Sequence, residues 1–556
     1  IKTLDMSIFS KVSAPKLKSS NFNLSEEHRL SMNMGDLVPI MCKEVLPGDK
    51  FKVTTELSIK LAPLKAPVMH RITAYVHYFF VPTFQVNSVF EKFINPKVNT
   101  DNSIVLPFAL PGYLKTYGQV SGNSGGFIGT LADYLGLPIT QTSWLDTSQS
   151  ADYQESINID PFRVYQHIYN SFYRDQNLEP LENADPSTSS LFLVERQAGL
   201  SGKITSSSLG GVNQLSQLFK LRKRAWAKDY FTSALPSPQA GDDVLIPISS
   251  EVSADGEMRF DTRTLEGGGA PLDAQAAYFG PITQVDEDNP LADSQGNPAY
   301  YKSGLKAVNS TATVNDLRKA LALQRFKELA ERGGTRYSEM VRNFFGAFLK
   351  DYWVDRPIFL GGQKQPVKVS EMFQTSMTSG TEFLGERAGI GGSYGFTKGV
   401  YLNAPCHGYL MGILSIRPEA VYTQGLERMW TRKSLFDFAF PQFANMGEQE
   451  IYQKELFVGA AGDANNTVFG YTPRYAEYKT SKSYVSGEFR TSLNYWHFAR
   501  QFDNAPTLSS QFVMMNSVPT RPFYVTDASV EHIYVDLYNN IHARRRLPYF
   551  GTPSIL

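Results

Sequence analysis

The sequence predicts a mainly β protein: a β-sandwich closed by segments far apart in the chain, with long, partly helical excursions between the strands. Three observations predict it. Phe51, Val53, Thr55, Leu57, Ile59 and Leu61 alternate with Lys52, Thr54, Glu56, Ser58 and Lys60, the period of two expected of a half-buried strand. The run His70–Pro82 carries aromatic and β-branched side chains on both faces, as a strand covered on both sides would. Similar runs return only at Gly408–Arg417, Ser483–Leu493 and Ser529–Tyr538. The partners of the early strands therefore come from late in the chain. Pairing across such separations is slow and leaves sheet edges open meanwhile.

Taken in order, Met6-Ser-Ile-Phe-Ser has the look of a natural start, after five residues that need not belong to it. Residues 1–25 read as an extended arm, with Lys11, Lys16 and Lys18 and no acid between positions 6 and 25; the plain alternative is a loose terminus. Glu44-Val-Leu-Pro-Gly-Asp49 is a turn signal before the first long strand. Helical spacing appears at Val86–Ile94 and Phe127–Leu135. A clearer helix opens at Asp160-Pro161, read as an N-cap followed by Pro, with Phe162, Tyr165, Ile168, Tyr169 and Phe172 as its apolar stripe. A helical pair is expected over 313–349: an amphipathic Thr313–Arg332 stopped by Gly333-Gly334, then Arg336–Leu349 with Tyr337, Met340, Val341, Phe344, Phe345 and Phe348 on one face. Gly-rich turns are expected over 379–399.

Residues 249–311 differ in kind, being rich in Gly, Pro, Asp and Ala with weak periodicity. Ten acids stand against four bases there, a net charge of −6, while the whole chain is formally neutral. An acidic insertion on a mildly basic body reads as an outward-facing excursion; the alternative is an ordinary solvated loop. The rest, 26–556, is taken as one domain carrying these insertions.

With 556 residues, 42% hydrophobic and 19% charged, the chain is an ordered globular protein. Its 29 Tyr and 37 Phe suit strands and large contacts between subunits. Neutrality removes any bulk electrostatic argument for nucleic acid. Two cysteines, Cys42 and Cys406, make neither a disulfide framework nor a zinc site and fit synthesis in a reducing compartment. No signal peptide and no membrane-length apolar run is expected.

The search for catalytic chemistry returns little. Gly391-Gly-Ser393-Tyr-Gly395 matches Gly-x-Ser-x-Gly but lacks the strand before and helix after that a nucleophile elbow needs. His70 and His77 are an odd spacing apart, on opposite faces of a strand, which argues against shared metal ligation. No metal or cofactor is expected. Basic clusters say more. Lys220-Leu-Arg-Lys-Arg224 lies beside Trp226 and Lys228, and His542-Ala-Arg-Arg-Arg-Leu-Pro-Tyr-Phe550 interleaves cations with rings. Single-stranded nucleic acid is bound by that combination, charge for phosphates and flat rings for bases. The competing reading is a solvated face or a salt-bridge site.

Several segments together resemble one family. They include His28-Arg-Leu-Ser-Met-Asn-Met-Gly-Asp-Leu-Val-Pro39, Val68-Met-His-Arg71, His77-Tyr-Phe-Phe-Val-Pro82, Phe172-Tyr-Arg-Asp-Gln-Asn177, Lys228-Asp-Tyr-Phe-Thr-Ser-Ala-Leu-Pro236, Glu331-Arg-Gly-Gly-Thr-Arg-Tyr337 and Gly470-Tyr-Thr-Pro-Arg-Tyr-Ala-Glu-Tyr478. Their order resembles the major capsid protein of microviruses, small circular single-stranded DNA bacteriophages, and especially the gokushovirus-like branch. The resemblance implies a single eight-stranded antiparallel jelly roll and a T=1 icosahedral shell of many copies around the DNA genome. It implies protrusions, used on the host surface receptor, at the position of 249–311. It also implies a small basic DNA-packaging protein, a DNA pilot protein and an internal scaffolding protein as partners, and a place in the virion after assembly in the host bacterial cytoplasm. Arg544, Arg545 and Arg546 are the first candidates for DNA contact, with Lys11, Lys16 and Lys18 second. A carbohydrate-binding or carbohydrate-active β-sandwich is the alternative, since the same architecture serves both.

Overall fold

A computed structural model describes residues 19–87, 89–95, 128–138, 157–179, 217–242, 314–333, 337–345, 356–373, 387–459, 466–527 and 529–550, with 106, 108–109, 244, 252–254, 260–261, 300–301 and 305–307. The chain divides into two compact units, Ile1–Pro238 with Ala330–Leu556, and Gln239–Leu329.

The first unit is built on one antiparallel sheet of ten strands. These are β1 (Ser20–Asn23), β2 (Glu26–Met32), β3 (Val38–Val45), β4 (Lys50–Leu61), β5 (Ile72–Pro82), β6 (Ile358–Phe373), β7 (Arg387–Phe396), β8 (Val400–Asn403), β9 (Gly408–Pro418) and β10 (Ile533–Arg545). Eight of them form a continuous path, β1-β10-β4-β7-β6-β5-β9-β3, with β8 added on β4 and β2 on β10. The early strands take late partners as expected. β4 pairs with β10 and β7, and β5 pairs with β6 and β9.

β6 joins the two halves. Its first part, Ile358–Val367, pairs with β5, and its second, Lys368–Phe373, pairs with β7. The two halves face one another across a shared core. Ile40, Val76, Tyr78, Phe80 and Leu410 come from one side, and Val53, Leu57, Ile59, Val535 and Ile541 from the other. Alternation along β4 and β10 follows from this: one face meets the core and the other meets solvent. β5 is covered on both faces. Phe79 and Val81 point away from the shared core, into a second cluster with Phe162, Tyr165 and Ile168 of helix α1 (Asp160–Ile168).

A buried polar chain crosses the shared core. The Tyr78 hydroxyl donates to Thr55 Oγ1 at 2.6 Å, Thr55 Oγ1 donates to Asn539 Oδ1 at 2.7 Å, and Asn539 Nδ2 donates to the Ile40 carbonyl at 3.0 Å. Every group in the chain finds a partner, as groups removed from water must.

Several sequence expectations are corrected. Ser483–Leu493 is not a strand: Gly487 sits at φ 66° and opens a 3₁₀ turn, Gly487–Arg490. The Gly-rich run expected as turns is in large part strand β7. Its glycines serve close approach, since a Cβ at Gly389 would lie 2.4 Å from the Ala66 carbonyl oxygen and one at Gly391 2.4 Å from Leu61 Cδ1. Asp160 is the first helical residue rather than a cap. Its buried carboxylate accepts from Asn87 Nδ2 at 3.1 Å and faces Arg163. α1 continues through a π turn, Tyr169–Tyr173. The last strand starts at Ile533 rather than Ser529 and runs on past Tyr538 to Arg545, with the Asn539 side chain satisfied inside the core. Ser20–Asn23, expected within the arm, is the edge strand β1 on β10.

In the second unit Val252–Ala254 pairs with Leu305–Ala307, and Phe260–Asp261 with Tyr300–Tyr301. Most of 249–311 lies outside the described residues. Helix α2 (Val314–Gly333) forms where expected, but Leu317, Leu321, Leu323, Phe326 and Leu329 are exposed. They are spread around the helix instead of packing as one stripe, so it is not the strongly amphipathic helix expected. Helix α3 (Tyr337–Phe345), which belongs to the first unit, follows in the chain; Phe348 lies outside the described residues.

Candidate nucleic-acid interface

The face of β4, β7, β8 and β10 turned away from the core positions the candidate site. Strand alternation sends Lys50, Lys52 and Lys60 of β4 outward, with Tyr534, Tyr538, His542 and Arg544 of β10, Tyr394 and Phe396 of β7, and Tyr401 of β8. Register sets their neighbours. Lys50 lies opposite Arg544, and Lys52 lies between His542 and Tyr401. Lys52 Nζ is 5.9 Å from the Tyr401 ring centre. Lys50 and Arg544 are therefore like charges directly opposite one another, an arrangement that weakens a sheet. The acids on this face are Glu56 and Asp536, with Glu27 of β2 opposite Tyr538; Arg29 lies 2.7 Å from Glu27 and 3.4 Å from Asp536.

The same face carries an open, mostly apolar trough of about 710 Å³, lined by Lys60, Met372, Ile390, Gly392, Tyr394 and Tyr534. Gly392 leaves a gap between the outward side chains of Ile390 and Tyr394. A flat ring can reach the backbone there.

The structure separates the three C-terminal arginines. Arg544 is exposed on this face, and its Nε donates to Ser19 Oγ at 2.9 Å. Arg545 turns to the other side. Its Nε lies 3.1 Å from the fully buried carboxylate of Asp49, its Nη2 donates to the Glu44 carbonyl at 2.6 Å, and its guanidinium lies over Phe51 at 5.5 Å. Arg546 is exposed beside the Gly48 turn, where φ is +84° and a Cβ would come 2.9 Å from Arg546 Nε. Tyr549 stacks on Phe22 at 5.8 Å, and Phe550 packs edge-on against Tyr549 at 4.9 Å. Lys11, Lys16 and Lys18 lie outside the described residues.

The 220–228 cluster is occupied by internal structure. Arg222 is buried and its Nε donates to Gln166 Oε1 at 2.7 Å. Arg224 lies 4.0 Å over the Tyr75 ring, with Nη1 donating to Ser415 Oγ at 2.6 Å. Burial and the nearby Arg417 pull its pKa down to about 10. Lys223 pairs with Asp36, and Lys228 with Asp175. Here the salt-bridge reading describes the cluster.

Ser393 lies within β7, not on an elbow, and its hydroxyl donates to the Pro366 carbonyl at 2.7 Å. Cys42 and Cys406 are both free thiols, and burial raises Cys42 to about 12. Among the described residues no three His, Cys, Asp or Glu side chains gather as metal ligands, and no helix is long and apolar enough to cross a membrane.

The sequence motifs missed Lys50, Lys52 and Lys60 as part of a site, because each is simply the polar half of an alternating strand. Only register brings them beside Arg544 and the tyrosines.

The curled antiparallel sheet and its cation-and-tyrosine face describe a mainly β structural protein. Comparison with known proteins agrees. The family model described as capsid protein (F protein) matches residues 10–555. Capsid protein VP1 of Chlamydia phage 1 is 31% identical, over 98% of this chain and 97% of that protein. Capsid protein VP1 of Bdellovibrio phage phiMH2K is also 31% identical, with 98% and 97% covered. Capsid protein VP1 of Spiroplasma virus 4 is 27% identical over the same shares. The chain belongs to the phage capsid (F protein) family. The resemblance to gokushovirus-like capsid proteins is thereby shown. The chain is a structural protein of a virion, built to assemble into a multimeric shell, and not an enzyme.

Proposed function

We propose that copies of this chain close into a T=1 icosahedral shell around a circular single-stranded DNA genome, and that the outward face of β4 and β10 lies against that DNA. The observation that carries the DNA reading is the like-charged Lys50–Arg544 pairing beside exposed tyrosines. Phosphate relieves the repulsion, and unstacked bases find rings and the Gly392 trough. Arg544 and Arg546 are the contacts from the C-terminal cluster, with Lys11, Lys16 and Lys18 of the arm in support. Arg545 serves the subunit itself, through Asp49.

Residues 249–311 form the outward protrusion that meets the host surface receptor. Their acidic charge and the antiparallel ladders near both ends, which bring the excursion back to where it leaves, support this. A small basic packaging protein, a pilot protein and an internal scaffolding protein complete assembly in the host bacterial cytoplasm.

The test is electron microscopy and DNA quantification of particles assembled with Arg544→Ala and Arg546→Ala together. Closed shells with reduced, more salt-sensitive DNA retention are expected. Unchanged DNA content would remove the face from the interior, and monomers alone from the unaltered chain, even with partner proteins and genome supplied, would remove the shell.

A further inference from the structure

We infer that the segment from Leu426 to Met446 is a face on which a second copy of this chain docks, an assignment that rests on the shell reading above. Over this stretch the chain turns large apolar side chains to solvent. Trp430 is 70% exposed, Leu435 67%, Phe436 66%, Met446 63%, Met429 53% and Phe438 51%. Isolated apolar residues on a surface are ordinary; a run of this size marks a site of contact.

The run is not a loose loop. Three 3₁₀ turns shape it, Arg428–Trp430, Leu435–Asp437 and Pro441–Phe443. Asp437 accepts from the Ser434 and Lys433 amides at 2.7 and 2.8 Å. Arg428 Nη2 donates to the Glu450 carbonyl at 2.7 Å, and its Nε faces the buried Glu455 carboxylate. Arg432 pairs with Glu477 at 3.4 Å and lies over Tyr478 at 4.3 Å. These polar contacts hold the backbone while the apolar side chains point away from it. A surface held in its bound shape loses less entropy on association.

Area and charge identify the occupant. At roughly 100–200 Å² exposed per large side chain, these six present about 800 Å², one partner's share of a standard protein interface. The two arginines are matched by Glu455 and Glu477, and along the run Lys433 stands against two further acids, Glu427 and Asp437, so the face carries little net charge. A polyanion has little to hold here, whereas aromatic, Met and Arg side chains are what protein interfaces concentrate. For a shell-forming chain, the partner present at every position is another copy of itself.

The test is the full chain with Trp430→Ser and Phe436→Ser, beside an Ile94→Ser control, an exposed apolar residue that belongs to neither face. Circular dichroism checks folding, sedimentation and electron microscopy read association, and binding to a single-stranded oligonucleotide reads DNA. A folded double variant that associates roughly tenfold or more weakly, with its DNA binding intact and the control assembling normally, is expected. A benzophenone amino acid at position 430 of the otherwise unaltered chain should cross-link to a second copy, which keeps the inference testable if the double variant does not fold. Association of the double variant equal to that of the unaltered chain, absence of the cross-link in assembled particles, or loss of DNA binding alone would overturn this assignment and leave the shell standing. Failure of the unaltered chain to associate would overturn the shell reading itself.

Discussion

Tyr78 on β5 and Thr55 on β4 meet across the shared core through a 2.6 Å hydrogen bond, and the same Tyr78 hydroxyl lies 3.2 Å from Thr397 Oγ1. Thr55 also ties its backbone amide to Thr397 Oγ1 at 2.8 Å. A buried chain of donors and acceptors tolerates one register only, since a slip of one residue would turn each member to the wrong face. The contact thus specifies which residues of the two halves face one another.

Tyr78→Phe should keep the fold and lower subunit stability by about 1–2 kcal/mol, the worth of a buried neutral hydrogen bond. Asn539→Leu should cost more, about 2–4 kcal/mol, because the Thr55 hydroxyl loses its acceptor and the Ile40 carbonyl loses the Asn539 donor, keeping only His28 Nδ1 at 3.2 Å. Denaturant unfolding of the isolated subunits checks the order, and equal losses would argue against a connected chain.

The glycines of β7 should divide by what lies above them. Gly389→Ala puts a Cβ against the Ala66 carbonyl, backbone that cannot swing aside, and a loss of about 1–3 kcal/mol is expected. Gly392→Ala meets nothing closer than 3.4 Å and should change stability by less than about 0.5 kcal/mol. The same unfolding measurement separates them.

Adjacent arginines should behave as opposites. Arg545→Ala strands the buried Asp49 carboxylate, and subunit stability should fall by about 3 kcal/mol. Arg544→Ala with Arg546→Ala should leave stability nearly unchanged and flatten the salt dependence of DNA binding by roughly 0.7 in log–log slope per lost phosphate contact. Oligonucleotide titration at several salt concentrations reads the second effect, and melting reads the first.

Mild acid should weaken the subunit. Burial pushes His77 down to about 4, with Arg224 and Arg417 adding to the shift. Burial also takes His70 to about 4, although its ring bonds the Glu419 carbonyl. Above the ordinary value of 6.5 both states are neutral and the two histidines add no pH dependence. Between 6.5 and about 4 the unfolded chain takes protons that the folded chain refuses, so stability falls as pH falls. The loss approaches about 2–3 kcal/mol per histidine below that window. His77→Gln should remove its own share, seen as a shallower decline in melting temperature from pH 6.5 to 4.

Much of the sheet was legible in the residues. β4 followed from side-chain alternation, β5 from aromatic and β-branched side chains on both faces, and β9 and the start of β10 from similar runs late in the chain, where the missing partners had to lie. α1 followed from an apolar stripe of helical period. β2 is hard to see because its charged run Glu26–Met32 packs only one face and sits at an edge. β7 was not read, because glycine carries no side chain to alternate.

The sequence by itself determined that β4, β5, β9 and the start of β10 are extended, and which face of β4 turns inward, because local period and side-chain type fix those. It also carried, through ordered motifs, the capsid family. Tertiary structure alone decided which basic residues are free. Arg545 and the 220–228 cluster are held by Asp49, Gln166, Tyr75 and Asp36, partners distant in the chain, while Lys50 and Lys52 come beside Arg544 only through strand register. Charge is a property of a residue, but its availability depends on what the fold places within a few ångströms of it.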